Sequence, residues 1–178
     1  MSHGRKKLVV VEEGEIYAIP LFVADEDPAR RFKKADLEGK GKPFAFLRIV
    51  TDTGGGGIIV EIFDVVGGLD MPVAEVVQAG RLFRPVSITG LGIHKRRWPR
   101  IGRQMGYDKE RDSCYSAITL VSSPFDHPTL FVGGKESPIS IEKAAEYEPW
   151  TMWRAHHLEK RIISELAARG TRPTISRT

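Results

Sequence analysis

The sequence predicts a mainly β fold of the α+β kind: a curved antiparallel sheet or partly open barrel of about six strands, with a C-terminal helix pair packed on it. Three observations carry this. The stretch Phe44 to Val66, FAFLRIVTDTGGGGIIVEIFDVV, is two apolar runs rich in β-branched and aromatic residues on either side of four glycines, the pattern of an antiparallel hairpin. Phe44, Phe46 and Val50 point to one face of its first run and Ala45, Leu47 and Ile49 to the other, so both faces need a cover, as in a central strand. Later, Ala155, Leu158, Ile162 and Leu166 form a stripe at helical spacing that can supply one cover.

In chain order, Leu8 to Val11 is a short apolar run, and Glu15 to Phe22 is a strand candidate. Pro20 removes a ladder donor from it, which predicts an edge strand or a bulge. Ala24 to Lys42 is polar, and reads as an excursion or a short helix around Pro28 to Leu37. After the hairpin, Met71 to Ala79 is expected to be helical, with Asp70 as N-cap, Pro72 in the first turn and Gly80 as the stop. Arg81 to Thr89 reads as a strand, Gly90 to Ser113 as a loop, and Cys114 to Ser122 and Thr129 to Val132 as strands around a turn at Pro124 to Pro128. Ser140 can cap a first helix. Pro149 fits the first turn of a second, Pro149 to Arg169, closed by Gly170, with Trp150 and Trp153 near its contact with the sheet. Length argues for a single domain over 1–178: a β core over about 8–132, helices over about 138–170 and a frayed tail over 171–178.

The apolar share, 41%, is ordinary for a folded protein, and the net charge of +4 permits acidic partners without demanding them. One cysteine, Cys114, fits a reducing compartment and reads as inert and buried. The expected location is the cytoplasm. No apolar run reaches the roughly 20 residues of a membrane span, and the N-terminus lacks the apolar region of a secretory signal.

Templates for catalysis fail on spacing. His3, His94, His127, His156 and His157 are scattered, and adjacent His156 and His157 diverge on a helix, so no metal site is expected. Gly54 to Gly57 is followed by Ile58-Ile59-Val60 rather than a lysine and a helix, which argues for a turn and against a phosphate cradle. Pro99 forbids the helix that a dinucleotide fingerprint at Gly90 would require. No catalytic residue and no cofactor is expected.

One stretch stands apart. HKRRWPRIGR, His94 to Arg103, concentrates Lys95, Arg96, Arg97, Arg100 and Arg103 around Trp98. Cations interleaved with an aromatic ring can neutralise phosphates and stack a base, or grip acidic residues of a protein with the tryptophan as anchor. Local pairing of the arginines, with Trp98 plugging the core, is the third reading. The groups at Arg5 to Lys7 and at Arg30, Arg31, Lys33 and Lys34 read as solvated faces.

The order Gly14-x-Ile16-x-Ala18-Ile19-Pro20-Leu21, then Phe44-Ala45-Phe46-x-Arg48-Ile49-Val50, then the glycine turn and Ile62-Phe63-Asp64, resembles the immunity protein 26 family of bacterial polymorphic toxin systems. Trp98-Pro99-Arg100-Ile101-Gly102 matches a later Trp-x-x-Ile-Gly element, so the resemblance runs over about residues 12 to 103. Glu15 stands where an Asp is commoner, Leu47 replaces a small residue, and the excursion before Lys42 is longer than usual. The resemblance implies a mainly β, cytoplasmic protein that neutralises a cognate toxin, with no catalytic residues; stoichiometric occlusion of the toxin's active site is the mechanism expected of such a binder. From the residues alone a nucleic-acid-binding module using 94–103 remains open, as does an enzyme without a recognisable motif, such as a toxin-type nuclease. No membrane partner is expected.

Overall fold

A computed structural model describes residues 10–123 and 126–171. Its centre is the expected hairpin. β1 (Glu15–Pro20) pairs antiparallel with β2 (Phe44–Asp52), and β2 with β3 (Ile58–Ile62) across the glycine turn. β4 (Val86–Ile88) joins β3, and β5 (Arg100–Arg103) joins the free side of β1. A two-residue strand, β9 (Met152–Trp153), pairs parallel with β4. The strand order is β5-β1-β2-β3-β4-β9, and the sheet stays open rather than closing into a barrel. A second sheet holds β6 (Thr119–Ser122), β7 (Thr129–Val132) and β8 (Lys135–Pro138) in that order.

Both faces of the hairpin are covered, as its composition demands. On one face Ala45, Leu47, Ile49, Val60 and Ile62 pack against Leu158, Ile162 and Leu166 of α6 (Ala155–Arg169). At one end of the other face Phe44, Phe46 and Phe63 meet Phe32, Leu37 of α1 (Lys34–Leu37), and Val76 of α2 (Val73–Gln78). At the other end Val50 and Ile59 meet Leu120 and Phe131 of the second sheet. Burying a Leu or Ile side chain is worth about 1.5–3 kcal/mol, so Leu158, Ile162 and Leu166 hold α6 firmly to the sheet.

Several local expectations need correcting. β1 is an inner strand; Pro20 is tolerated because it is the last residue of the ladder, while the irregularity lies at Ile16/Tyr17 on the β5 side. α2 starts two residues late, with Pro72 and not Asp70 in the N-cap position. Gly90 to Ser113 is no loop: it contains α3 (Leu91–His94), β5 and α4 (Lys109–Ser113), the last capped by the Asp108 carboxylate on the amides of Glu110 and Arg111. Cys114 is exposed, left-handed at φ 49, and precedes β6 rather than lying in it. Residues Pro149 to Arg154 are not helical, so α6 starts at Ala155, and α5 (Ile141–Ala144) is a single turn with no buried residue. The Leu8 run, the Pro124 turn and the tail lie wholly or partly outside the described residues.

Candidate functional site

The basic stretch divides between core and surface. Arg97 and Trp98 are each 2% exposed. Glu159 of α6, fully buried, accepts from Arg97 Nε and Nη2 at 2.7 Å each and from the Trp98 indole nitrogen at 2.8 Å. Arg97 Nη2 also donates to the carbonyl of Val23 at 2.5 Å, and the guanidinium lies 5.2 Å from the centre of the Phe32 ring. Trp98 therefore plugs the core, and neither residue presents its polar group to a partner. A buried guanidinium without a carboxylate would be several kcal/mol unstable, and Glu159 of α6 supplies that carboxylate.

The other four cations face outward. Lys95 donates to the carbonyl of Ala29 at 3.0 Å, and Arg96 is exposed without an ion-pair partner among the described residues. Arg100 pairs with Glu15 at 2.9 Å, whose other oxygen accepts from Tyr17 at 2.9 Å. Burial, then this bond, raises the Tyr17 pKa well above the ordinary tyrosine value. Arg103 pairs with Glu12 at 2.6 Å, at the far end of β5.

The turn that separates these fates is tight. The amides of Arg97 and Trp98 both donate to the carbonyl of Gly92, at 2.9 and 3.1 Å. The indole lies over Gly92 so closely that a Cβ there would sit 2.6 Å from the ring. Arg96, between them, adopts φ 58, a left-handed conformation costing roughly 1–2 kcal/mol for a residue with a side chain. The clamped neighbours hold it there.

Beside this turn lies a groove of about 750 Å³. Arg31, Lys34, Arg96 and Arg100 rim it, Leu37, Leu69, Ile93 and Ile101 supply an apolar floor, and no carboxylate is among its lining residues. Arg31 and Lys34 were legible as a basic group but not as neighbours of Arg96; the excursion carrying them is drawn in by the Phe32 amide donating to the Lys95 carbonyl at 3.1 Å. The acidic group Asp25, Glu26 and Asp27 is exposed, with Asp25 on Lys160 and Glu26 on Arg30.

A second buried network lies in the sheet. Glu61 accepts from Arg48 Nε at 2.8 Å, Arg81 Nε at 2.7 Å and Ser113 Oγ at 2.8 Å. Arg48 also donates to Gln104 Oε1, to Ser113 Oγ at 3.1 Å and to the Asp112 carbonyl at 2.9 Å. Its guanidinium lies between the rings of Phe63 and Tyr107. Every carboxylate oxygen here is spent on a donor, so the cluster is a brace with no free base. Among the described residues no three His, Cys, Asp or Glu side chains converge to hold a metal ion, and no helix is long and apolar enough to cross a membrane.

The molecule thus presents an open, mostly antiparallel sheet, roofed by one long helix and bearing a cationic groove with no carboxylate among its lining residues. Comparison with protein families gives a match to the model for immunity protein 26 over residues 12–125, which spans β1 through β6. The chain belongs to that family, whose members act as immunity proteins in toxin systems. Neither the curated proteins nor the solved structures compared with it gave a match.

Proposed function

We propose that this chain is the antidote to one cognate toxin, acting by stoichiometric occlusion and without turnover, through the face that carries Lys95, Arg96, Arg100 and Arg103. Family membership supports the immunity role. The observation that carries the choice of face is the groove beside β5, where Arg31, Lys34, Arg96 and Arg100 surround an apolar floor. Apolar floor with a charged rim is the anatomy of a protein contact. Arg97 and Trp98 serve that face from beneath, by fixing the turn. Nanomolar neutralisation needs about −12 kcal/mol, within reach of an interface of roughly 1,600 Å² with good hot spots.

The test is co-expression with the cognate toxic domain. Expression of this chain alone should be harmless and should rescue the host, and the purified pair should run as a one-to-one complex by light scattering. A chain that fails to protect, or that itself arrests growth, sinks the proposal. Nucleic-acid binding competes for the same cations, but burial of Trp98 removes the stacking platform that reading needed. Oligonucleotide binding with a steep salt dependence would revive it.

A further inference from the structure

The groove does not lie on one face of the sheet; it wraps around an edge. Ile93 and Trp98, in its lining, belong to the core on the α6 side. Leu37, Leu69 and Ile101 belong to the core on the opposite side. What lies between is β5, which pairs with β1 along one side and, among the described residues, with no strand along the other. The four cations therefore flank the side of β5 along which no described strand pairs.

We infer that β5 is a docking strand: an extended, acidic segment of the partner adds to its free edge, alternating apolar side chains into the groove and carboxylates onto Arg31, Lys34, Arg96 and Arg100. This rests on the antidote reading above and assigns the partner's contacting element. The charge argues for the occupant. Two of the four groove cations already have a local partner, Lys34 in Glu38 at 3.3 Å and Arg100 in Glu15 at 2.9 Å. In the groove Arg31 and Arg96 have no ion-pair partner among the described residues, and no carboxylate lines the wall. The same charges repel a second copy of this basic edge, so an open strand is kept from pairing with itself while an acidic strand is attracted. Backbone pairing supplies affinity, and side chains on alternate positions supply selectivity. The turn at Arg96 is preset by Gly92, Trp98 and Glu159, so little ordering accompanies docking.

The experiment uses the full chain and three labelled peptides, each eight residues with blocked ends: Glu alternating with Val, Lys alternating with Val, and the acidic peptide N-methylated at alternate residues. The acidic peptide should bind at least tenfold more tightly than either of the others, and more weakly as salt rises. Arg31→Glu and Arg96→Asn should each weaken it at least fivefold with an unchanged melting temperature; asparagine tolerates the left-handed backbone at 96. Equal binding of the N-methylated peptide, equal binding of the lysine peptide, undiminished binding by both variants, or no binding of the acidic peptide at millimolar concentration overturns the inference. The same variants are then co-expressed with the toxic domain. Rescue by the parent and equally by both variants ends the docking-strand assignment and leaves the antidote reading intact. Failure of the parent to rescue ends the antidote reading, and the peptide titration still decides what β5 binds.

Discussion

Two buried guanidiniums hold this molecule together, and they are provisioned differently. Arg48 shares Glu61 with Arg81 and Ser113, and has three further oxygen acceptors at Gln104, Asp112 and Ser113, with a ring on either side. Arg97 has one carboxylate, one carbonyl and one ring, and among the described residues its Nη1 has no hydrogen-bond partner. All of Arg48's partners fall within residues 12–125, the span that matches the family model, whereas Arg97 depends on Glu159, outside it. The lesson is that the first network braces the sheet with redundancy, and the second ties the groove to a helix through a single acid.

Glu159→Ala should therefore be the most damaging change. It strands a buried charge and the Trp98 N–H together, at a cost of about 3–5 kcal/mol in urea unfolding. Glu61→Ala also leaves a buried guanidinium without a carboxylate but should sit at the low end of that range, about 3 kcal/mol, because Arg48 keeps neutral acceptors at Gln104, Asp112 and Ser113. If the two substitutions unfold at the same urea concentration, the contrast is false. Arg97→Met combined with Glu159→Gln should recover most of the loss, since it removes the charge while the glutamine carbonyl still accepts from Trp98.

Tyr107 sharpens the comparison from the alkaline side. Burial pushes its pKa up to about 12, while the unfolded residue ionises near 10. Its contribution is thus complete below pH 10 and lost as pH rises through about 12. Tyr107→Phe should cost about 1 kcal/mol near neutrality, for the lost 2.7 Å bond to Ser113, and should make the alkaline decline in a pH series of melting curves shallower, the share from Tyr17 remaining. The smallest effect belongs to Asp112. Arg111, then the Asp108 amide, hold its carboxyl down to about 2, against 3.8 in the unfolded chain. Its stabilisation is present above the unfolded value and lost as pH falls towards 2, and Asp112→Asn should shallow that acid limb slightly.

The fold was readable where the signal is local. The hairpin declares itself through composition, and Leu158, Ile162 and Leu166 through spacing; the apolar residues of β2 and β3 and these three all end up buried. β5 and β8 were missed because RIGR and KESP are short and polar, strands made by their neighbours rather than by propensity. The burial of Arg97 could not be read, because its carboxylate lies 62 positions along the chain. A run of cations looks the same whether solvated or clamped. The groove was hidden for the same reason: Arg31 and Arg96 meet only once the excursion folds back.

The four-glycine turn carries a practical consequence for anyone cutting or tagging the chain. Hairpin tips usually tolerate inserted sequence. Here the carbonyl of Gly56 accepts from both Ser87 Oγ, at 2.7 Å, and the Trp150 indole, at 2.8 Å, and a Cβ at Gly56 would press 2.6 Å from that indole. Gly54 and Gly55 have open space around them. An epitope or fluorophore grafted before Gly56 should be silent, and one grafted a residue later should unseat the small sheet from the large one.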